Sequence, residues 1–189
     1  FINTPVYRAE KSFTKKHATE FSGFDVELSY VNSQEDVMKI EEQILAYAIG
    51  EVYKKHGEKV KELLGVDIVV PTLPFPRINM KDAYKVLREL GFNIKDGEDF
   101  NTEEEVALCK YMEEKNGHQF FFVTEYPTAV RAFYTMAKED EPAYSKSYDL
   151  YFKDVEITSG AQREHRPAVL KKQFEDRGID TTPMQDYIN

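Results

Sequence analysis

The sequence predicts an α+β fold, an antiparallel β-sheet flanked by helices. Three observations lead there. Strand-like stretches come in neighbouring pairs, 2–10 with 18–31 and 148–152 with 155–157, which is how hairpins read. Capped amphipathic helices lie between these pairs without the strand–helix–strand regularity of a parallel sheet. The GxGxxG and GxxxxGK[ST] patterns are both absent, which argues against a Rossmann or P-loop phosphate site.

Residues 2–10 alternate as a strand with Val6, Arg8 and Glu10 on one face, and Pro5 suits a strand start or edge. Lys11 to His17 lack periodicity and form a polar, basic loop, longer than a tight turn needs. In the second strand, 18–31, Phe24, Val26, Leu28 and Tyr30 share one face, and Asp25, Glu27 and Ser29 the other. Pairing these strands puts Arg8 and Glu10 on the same sheet face as Asp25 and Glu27. That is either a solvated row of charges or a floor for a charged ligand.

Ser33, with Asp36 three positions on, starts a helix whose apolar stripe runs Val37, Ile40, Ile44, Leu45, Ala48, Val52. Gly57 is its expected stop, with His56 as a dipole partner in the last turn, and a second helix is expected over 58–64. Three prolines make 66–78 an extended connection rather than a helix or central strand. Asn79 with Asp82 caps a helix over 80–90, which Gly91 ends. Thr102 with Glu105 caps another over 103–115. Phe120–Val123 is a short buried strand, and 135–146 a polar excursion. Pro167 opens a helix to about 177 that Gly178 stops. Thr182 with Gln185 caps a last helix, with Pro183 at its first position.

A length of 189 residues suggests one domain with a core of ordinary size. The single cysteine, Cys109, excludes an intrachain disulfide, fits a reducing compartment, and sits in an apolar-periodic segment as a core residue. No apolar run reaches the ~20 residues of a membrane span. The net charge of −9 argues against nonspecific nucleic-acid binding over the whole surface. The chain opens at Phe1 inside a strand-like stretch and stops at Asn189 just after a helix begins, so it is expected to be part of a larger protein.

The chemistry-bearing residues concentrate in 147–166. Glu156 and Ser159, three residues apart, offer a carboxylate and a hydroxyl to one hard cation such as Mg²⁺, which accepts oxygen ligands and often bridges to nucleotide phosphate. Arg163 just beyond is suited to gripping a carboxylate through two parallel hydrogen bonds. An exposed loop with a solvated charge run is the plainer alternative.

Two separated stretches carry a resemblance. Val6-Tyr7-Arg8-Ala9-Glu10, the loop Ser12 to His17 and Glu20 to Glu27 resemble motif 2 of the class II aminoacyl-tRNA synthetases. Phe133-Tyr134-Thr135-Met136, Ser147-Tyr148-Asp149-Leu150 and Glu156 to Arg163 are similar to the aspartyl-tRNA synthetases shared by archaea and the eukaryotic cytosol. The resemblance covers essentially the whole chain.

It implies part of a class II catalytic domain that activates aspartate with ATP and passes it to the 3′ end of tRNA(Asp). It further implies a cytoplasmic homodimer without membrane attachment. Arg8 would hold the ATP α-phosphate and Glu10 the adenine, with Lys16 and His17 at the outer phosphates and the tRNA end. Asp25 would accept the substrate ammonium, Glu156 and Ser159 would hold Mg²⁺–ATP, and Arg163 would read the aspartate side chain, with Ser159 beside it in the aspartate pocket. Arg8 and Glu156 are the residues so assigned to catalysis.

Lys16 stands where the family usually has arginine, which keeps charge but loses bidentate phosphate contact, and Phe13 replaces a usual asparagine. The anticodon-binding domain, motif 1 and motif 3 are expected outside these 189 residues, so this stretch alone is not expected to be a competent ligase. The rivals are an asparaginyl-tRNA synthetase, a synthetase-derived asparagine synthetase, and a non-enzymatic nucleotide- or protein-binding module. Phe24-Asp25-Val26-Glu27, and Ser159-Gly160-Ala161 before Gln162, favour the aspartyl enzyme.

Overall fold

The structure, a computed structural model, describes residues 1–9 and 18–188. It comprises two compact units, Phe1–Asn32 and Ser33–Asn189. The first is an antiparallel ribbon of β1 (Ile2–Tyr7) and β2 (Glu20–Asp25), in register from Ile2 opposite Asp25 to Tyr7 opposite Glu20. β2 stops at Asp25 rather than near residue 31. Tyr30 has a left-handed backbone, φ 61°, which a tyrosine cannot hold within a strand.

The second unit is built on a four-stranded sheet in the order β3 (Arg77–Asn79), β4 (Phe120–Thr124), β5 (Ser147–Phe152), β6 (Val155–Ala161). β3 pairs parallel to β4 and the other pairs are antiparallel, so the sheet is mixed by one short edge strand. The prolines of the 66–78 connection precede that strand and leave it three residues long.

Alternation along β4 and β5 sends side chains to two cores. On the rear face Phe120, Phe122, Tyr148 and Leu150 pack with Met38 of α1 (Gln34–Leu64) and with Phe75. On the front face Phe121, Val123 and Tyr151 pack with Ala83, Tyr84 and Leu87 of α2 (Met80–Glu89) and Leu108, Cys109 and Met112 of α3 (Thr102–Asn116). Cys109 is a buried core thiol. α4 (Pro167–Asp176) and the short α5 (Gln185–Ile188) close a third cluster of Leu170, Phe174 and Ile188 around Phe133 and Tyr134. Among the described residues no helix is long and apolar enough to cross a membrane.

α1 departs from expectation in length and in phase. It runs unbroken through Gly57 and ends at Gly65, whose φ of 66° supplies the left-handed cap and whose N–H meets Lys61 O at 3.0 Å. Lys61, not His56, therefore occupies the last turn. An interior glycine costs only about 1 kcal/mol, too little to break a helix otherwise held by the sheet. The residues facing that sheet are Val37, Met38, Glu42, Leu45 and Ile49, whereas Ile40, Ile44 and Val52 are exposed.

Two adjacent glutamates explain the shift in phase. Glu42 is buried and accepts from Phe75 N–H at 3.0 Å and Arg77 Nη1 at 3.3 Å, at the β3 edge. Glu41 accepts from the Thr158 hydroxyl in β6, at the other edge. Polar residues thus stand on the buried side of α1, each satisfied by a partner.

The caps follow the same chemistry, with one shift. Ser33 N–H donates to Asp36 at 3.2 Å, and Asn79 Oδ1 accepts from Asp82 N–H at 2.9 Å. α3 is capped by Asn101 with Glu104, one position before the expected Thr102–Glu105 pair, because Asn101 Oδ1 reaches two N–H groups at 2.9 and 3.0 Å. Thr182 does not cap the last helix; Thr182–Met184 form a 3₁₀ turn before α5.

The 135–146 excursion is not a free loop. Ala137 bridges Ser145, and Thr135 bridges Arg163. Thr135, Met136, Tyr144 and Ser145 are buried. Three backbone bonds close a ring: Gln162 N–H to Lys146 O at 2.8 Å, Lys146 N–H to Met136 O at 2.8 Å, and Met136 N–H to Gln162 O at 2.9 Å.

Candidate active site on the front of the hairpin

The β5–β6 hairpin turns at Lys153, whose φ of 56° provides the left-handed residue that a tight hairpin needs. Partners across an antiparallel pair project to the same face. Asp149 lies opposite Ser159, and Tyr151 opposite Glu156. Asp149 and Tyr151 are alternate residues of β5, so Glu156 and Ser159 both project forward with them. In a regular strand, residues three apart point to opposite faces. The register shifts between Leu150, opposite Thr158, and Tyr151, opposite Glu156. Ile157 is the extra residue, and this β-bulge brings the carboxylate and the hydroxyl to one side.

The front face at this end is polar and negative. Asp149 is buried and accepts from Arg131 Nη2 at 2.6 Å. Arg131 in turn lies over the Tyr126 ring, 3.8 Å from its centre. Tyr126 Oη is 3.4 Å from Tyr151 Oη, which donates to Glu105 Oε1 at 3.4 Å. Arg131 meets Asp149 with one arm only: Asp149 Oδ1 and Arg131 Nε are buried without a hydrogen-bond partner. Burial raises the Asp149 carboxyl, against the lowering effect of Arg131. The Glu156 carboxyl is pushed up to about 7, first by desolvation and then by the charge of Asp149. Glu156 keeps solvent contact, which tempers the first cause and leaves carboxylate crowding as the better-founded one.

A hard cation fits this donor set. Glu156 and Ser159 face forward together, a buried Asp149 oxygen lacks a partner, and one guanidinium stands against two crowded carboxylates. Among the described residues no three acidic, histidine or cysteine side chains form a complete cage. The arrangement suits an ion that keeps water and substrate oxygens, as Mg²⁺ does.

Arg163 follows β6 and is exposed, its guanidinium 4.9 Å from the centre of the Tyr134 ring. Its backbone is held by the Thr135 bridge, next to the three-bond ring. Among the residues picked from sequence, then, Glu156, Ser159 and Arg163 belong to one unit, the first two within β6 and Arg163 just past its end.

Arg8 and Asp25 belong to the other unit. Arg8 N–H bonds Thr19 O at 2.9 Å and its guanidinium lies over Phe21, 5.2 Å from the ring centre. Alternation places Thr19, Phe21 and Asp25 on one face, as expected for Arg8 and Asp25. Asp25 sits opposite Ile2, however, at the far end of the ribbon. Six residue steps from Thr19 to Asp25 correspond to about 20 Å. Glu27 follows the end of β2. Glu10, Lys16 and His17 lie outside the described residues.

Sequence reading missed Asp149, Arg131 and Tyr126. The signal for Asp149 was present: an acid inside Tyr148-Asp149-Leu150-Tyr151-Phe152, a run apolar on both faces, calls for a buried partner. Arg131 carried no such mark.

The chain is similar to known proteins over essentially its whole length. Residues 1–189 match the family described as tRNA synthetases class II (D, K and N). An aspartate–tRNA(Asp) ligase of Pyrococcus furiosus is 35% identical over 188 residues, covering all of this chain and 43% of that protein. An aspartate–tRNA(Asp/Asn) ligase of Methanopyrus kandleri is 40% identical over 187 residues, covering 97% of this chain and 41% of that protein. The chain thus spans less than half the length of these relatives. Among solved structures, an aspartyl tRNA synthetase from Entamoeba histolytica superposes with a TM-score of 0.91 at 35% identity over 98% of this chain and 39% of its own. An asparaginyl-tRNA synthetase from Pyrococcus horikoshii, complexed with asparaginyl-adenylate, gives 0.86 at 27% identity over 98% of this chain and 42% of its own.

Proposed function

The chain belongs to the class II tRNA synthetases of the aspartate, lysine and asparagine group, and from that premise we propose that it is part of the catalytic domain of an aspartate–tRNA ligase. The complete protein would join aspartate to ATP as aspartyl-adenylate and transfer the aspartyl group to tRNA(Asp). The observation that carries this reading is the bulge that turns Glu156 and Ser159 to one face beside Asp149, in a chain whose curated relatives carry that activity.

In the first step a carboxylate oxygen of aspartate attacks the α-phosphorus of ATP, and the bond to pyrophosphate breaks. No proton moves, so positioning and charge neutralisation supply the catalysis. Arg8 would neutralise the α-phosphate. Glu156 and Ser159 would hold Mg²⁺, which supplies charge compensation on the phosphates when bound. Arg163 would pair with the substrate side-chain carboxylate; asparagine would set a neutral amide against that guanidinium and lose the charged pair. Asp25 would accept the substrate ammonium.

The test is ATP–pyrophosphate exchange by the complete protein, with aspartate and asparagine compared. Exchange that depends on aspartate supports the assignment. Exchange with asparagine alone, or equally with both, overturns it in favour of the asparaginyl relatives that share the fold.

A further inference from the structure

Ser159 is flanked in β6 by Thr158 and Gly160, and both neighbours face the rear of the sheet, opposite Leu150 and Tyr148. Each is held from behind by the same assembly. The Thr158 hydroxyl donates to Glu41 of α1. The Tyr148 phenol lies against the same carboxylate. Tyr148 is buried and crosses Gly160 so closely that a Cβ at 160 would overlap its ring, 2.7 Å from Cε1 and closer still to Cζ and Oη. Residue 160 must therefore be glycine for the ring to reach Glu41.

One carboxylate thus secures the residue before Ser159 by a hydrogen bond and the residue after it through an aromatic ring. Ile157, the extra residue of the bulge, directly precedes Thr158. A bulged strand tolerates more than one register and direction, so an anchor at its edge decides where the forward-facing groups point.

We propose that Glu41 is a positioning residue for the nucleotide side of the site: through Thr158 and Tyr148 it sets the direction of Ser159 and, across the bulge, of Glu156, while touching no substrate. The inference rests on the reading of Glu156 and Ser159 given above. It also separates the two halves of the site. Arg163 is held by other means, the Thr135 bridge and the ring of bonds among Met136, Lys146 and Gln162. The brace therefore acts chiefly on ATP, and on aspartate only through Ser159, with Arg163 held independently.

The experiment uses the complete protein, with ATP and aspartate varied in turn in pyrophosphate exchange. Thr158→Val keeps shape and removes the hydroxyl. It is expected to lower kcat/KM for ATP about tenfold, the scale of one lost hydrogen bond to a charged group. KM for aspartate should change severalfold less than kcat/KM for ATP, because Arg163 is held independently, and that unequal response distinguishes positioning from general loosening. Thr158→Ser, which restores the hydroxyl, should recover the ATP parameters. Tyr148→Phe, which leaves the ring over Gly160, should fall between the two.

Unchanged ATP parameters in Thr158→Val overturn the proposal. So does a joint rise in both KM values with a matching fall in Tm, or a failure of Thr158→Ser to recover. The underlying site reading fails by a different result, namely undiminished exchange in Glu156→Ala and Ser159→Ala.

Discussion

Glu156 and Ser159 share one face of β6 only because Ile157 lies between them as an extra residue. Deleting Ile157 leaves Glu156 and Ser159 two residues apart, which strict alternation also sends to one face, opposite Tyr151 and Asp149. The deletion is therefore expected to retain exchange within about tenfold of the parent, with unchanged far-ultraviolet circular dichroism. Ile157→Val keeps the count and should cost little, since Ile157 is exposed. A fall of about a hundredfold or more in the folded deletion variant would show that the bulge itself, and not the shared face, is what the site needs.

The raised Glu156 carboxyl makes a second prediction. Its carbon-13 signal in cation-free protein should titrate near pH 7 rather than near 4.5. The folded value lies above the ordinary one, so the folded state holds the proton more tightly. This group therefore removes stability as pH rises from about 4.5 to about 7. Asp149→Asn should lower the titration midpoint, because the second cause goes while Arg131 remains. An unmoved midpoint would leave desolvation as the whole cause.

Glu164 has the opposite sign. Its buried carboxylate accepts from Arg166 N–H at 2.9 Å, Nε at 2.9 Å and Nη2 at 2.8 Å, and these bonds hold it below the ordinary glutamate range. The stability it adds is present above about pH 4.5 and is lost as pH falls through its depressed value. Glu164→Gln should cost about 1–2 kcal/mol at neutral pH, with the difference shrinking in acid. A gap that does not change with pH would remove charge from the account.

The single long helix α1 is tested at its two glycines. Gly65→Ala forces a side chain into left-handed backbone and should cost about 1 kcal/mol. Gly57→Ala should be neutral or stabilising by up to about 1 kcal/mol, provided the exposed Tyr53 ring moves slightly, since the new Cβ would meet its Cδ2 at 3.0 Å. The reverse pattern in chemical denaturation would mean that the helix breaks at 57.

These cases show what a linear sequence can convey. The β5–β6 hairpin, the caps at Ser33 and Asn79, and Cys109 as core were readable because each depends on residues a few positions apart. The buried phase of α1 was not, because Glu41 and Glu42 look like solvent-facing acids until Thr158, Phe75 and Arg77 arrive from distant parts of the chain. Asn101 displaced Thr102 as a cap because both are competent and local chemistry does not rank them. The bulge leaves no mark in composition: the spacing of Glu156 and Ser159 suggested a shared ligand, yet only the register explains how a strand permits it. Arg131 was invisible because its meaning lies wholly in Asp149.

The bonds among Met136, Lys146 and Gln162 form a closed cycle in which each residue gives its one N–H and receives through its one C=O. A linear ladder can fray from an end, but a cycle has none. Breaking any bond frees a donor and an acceptor on two different segments, so the three amides should open together. In native-state hydrogen exchange they should show a common opening free energy despite lying 10 to 26 positions apart in the chain. The residue just past Gln162 inherits that shared clock, so Arg163 should be as still as the slowest of the three segments that hold it.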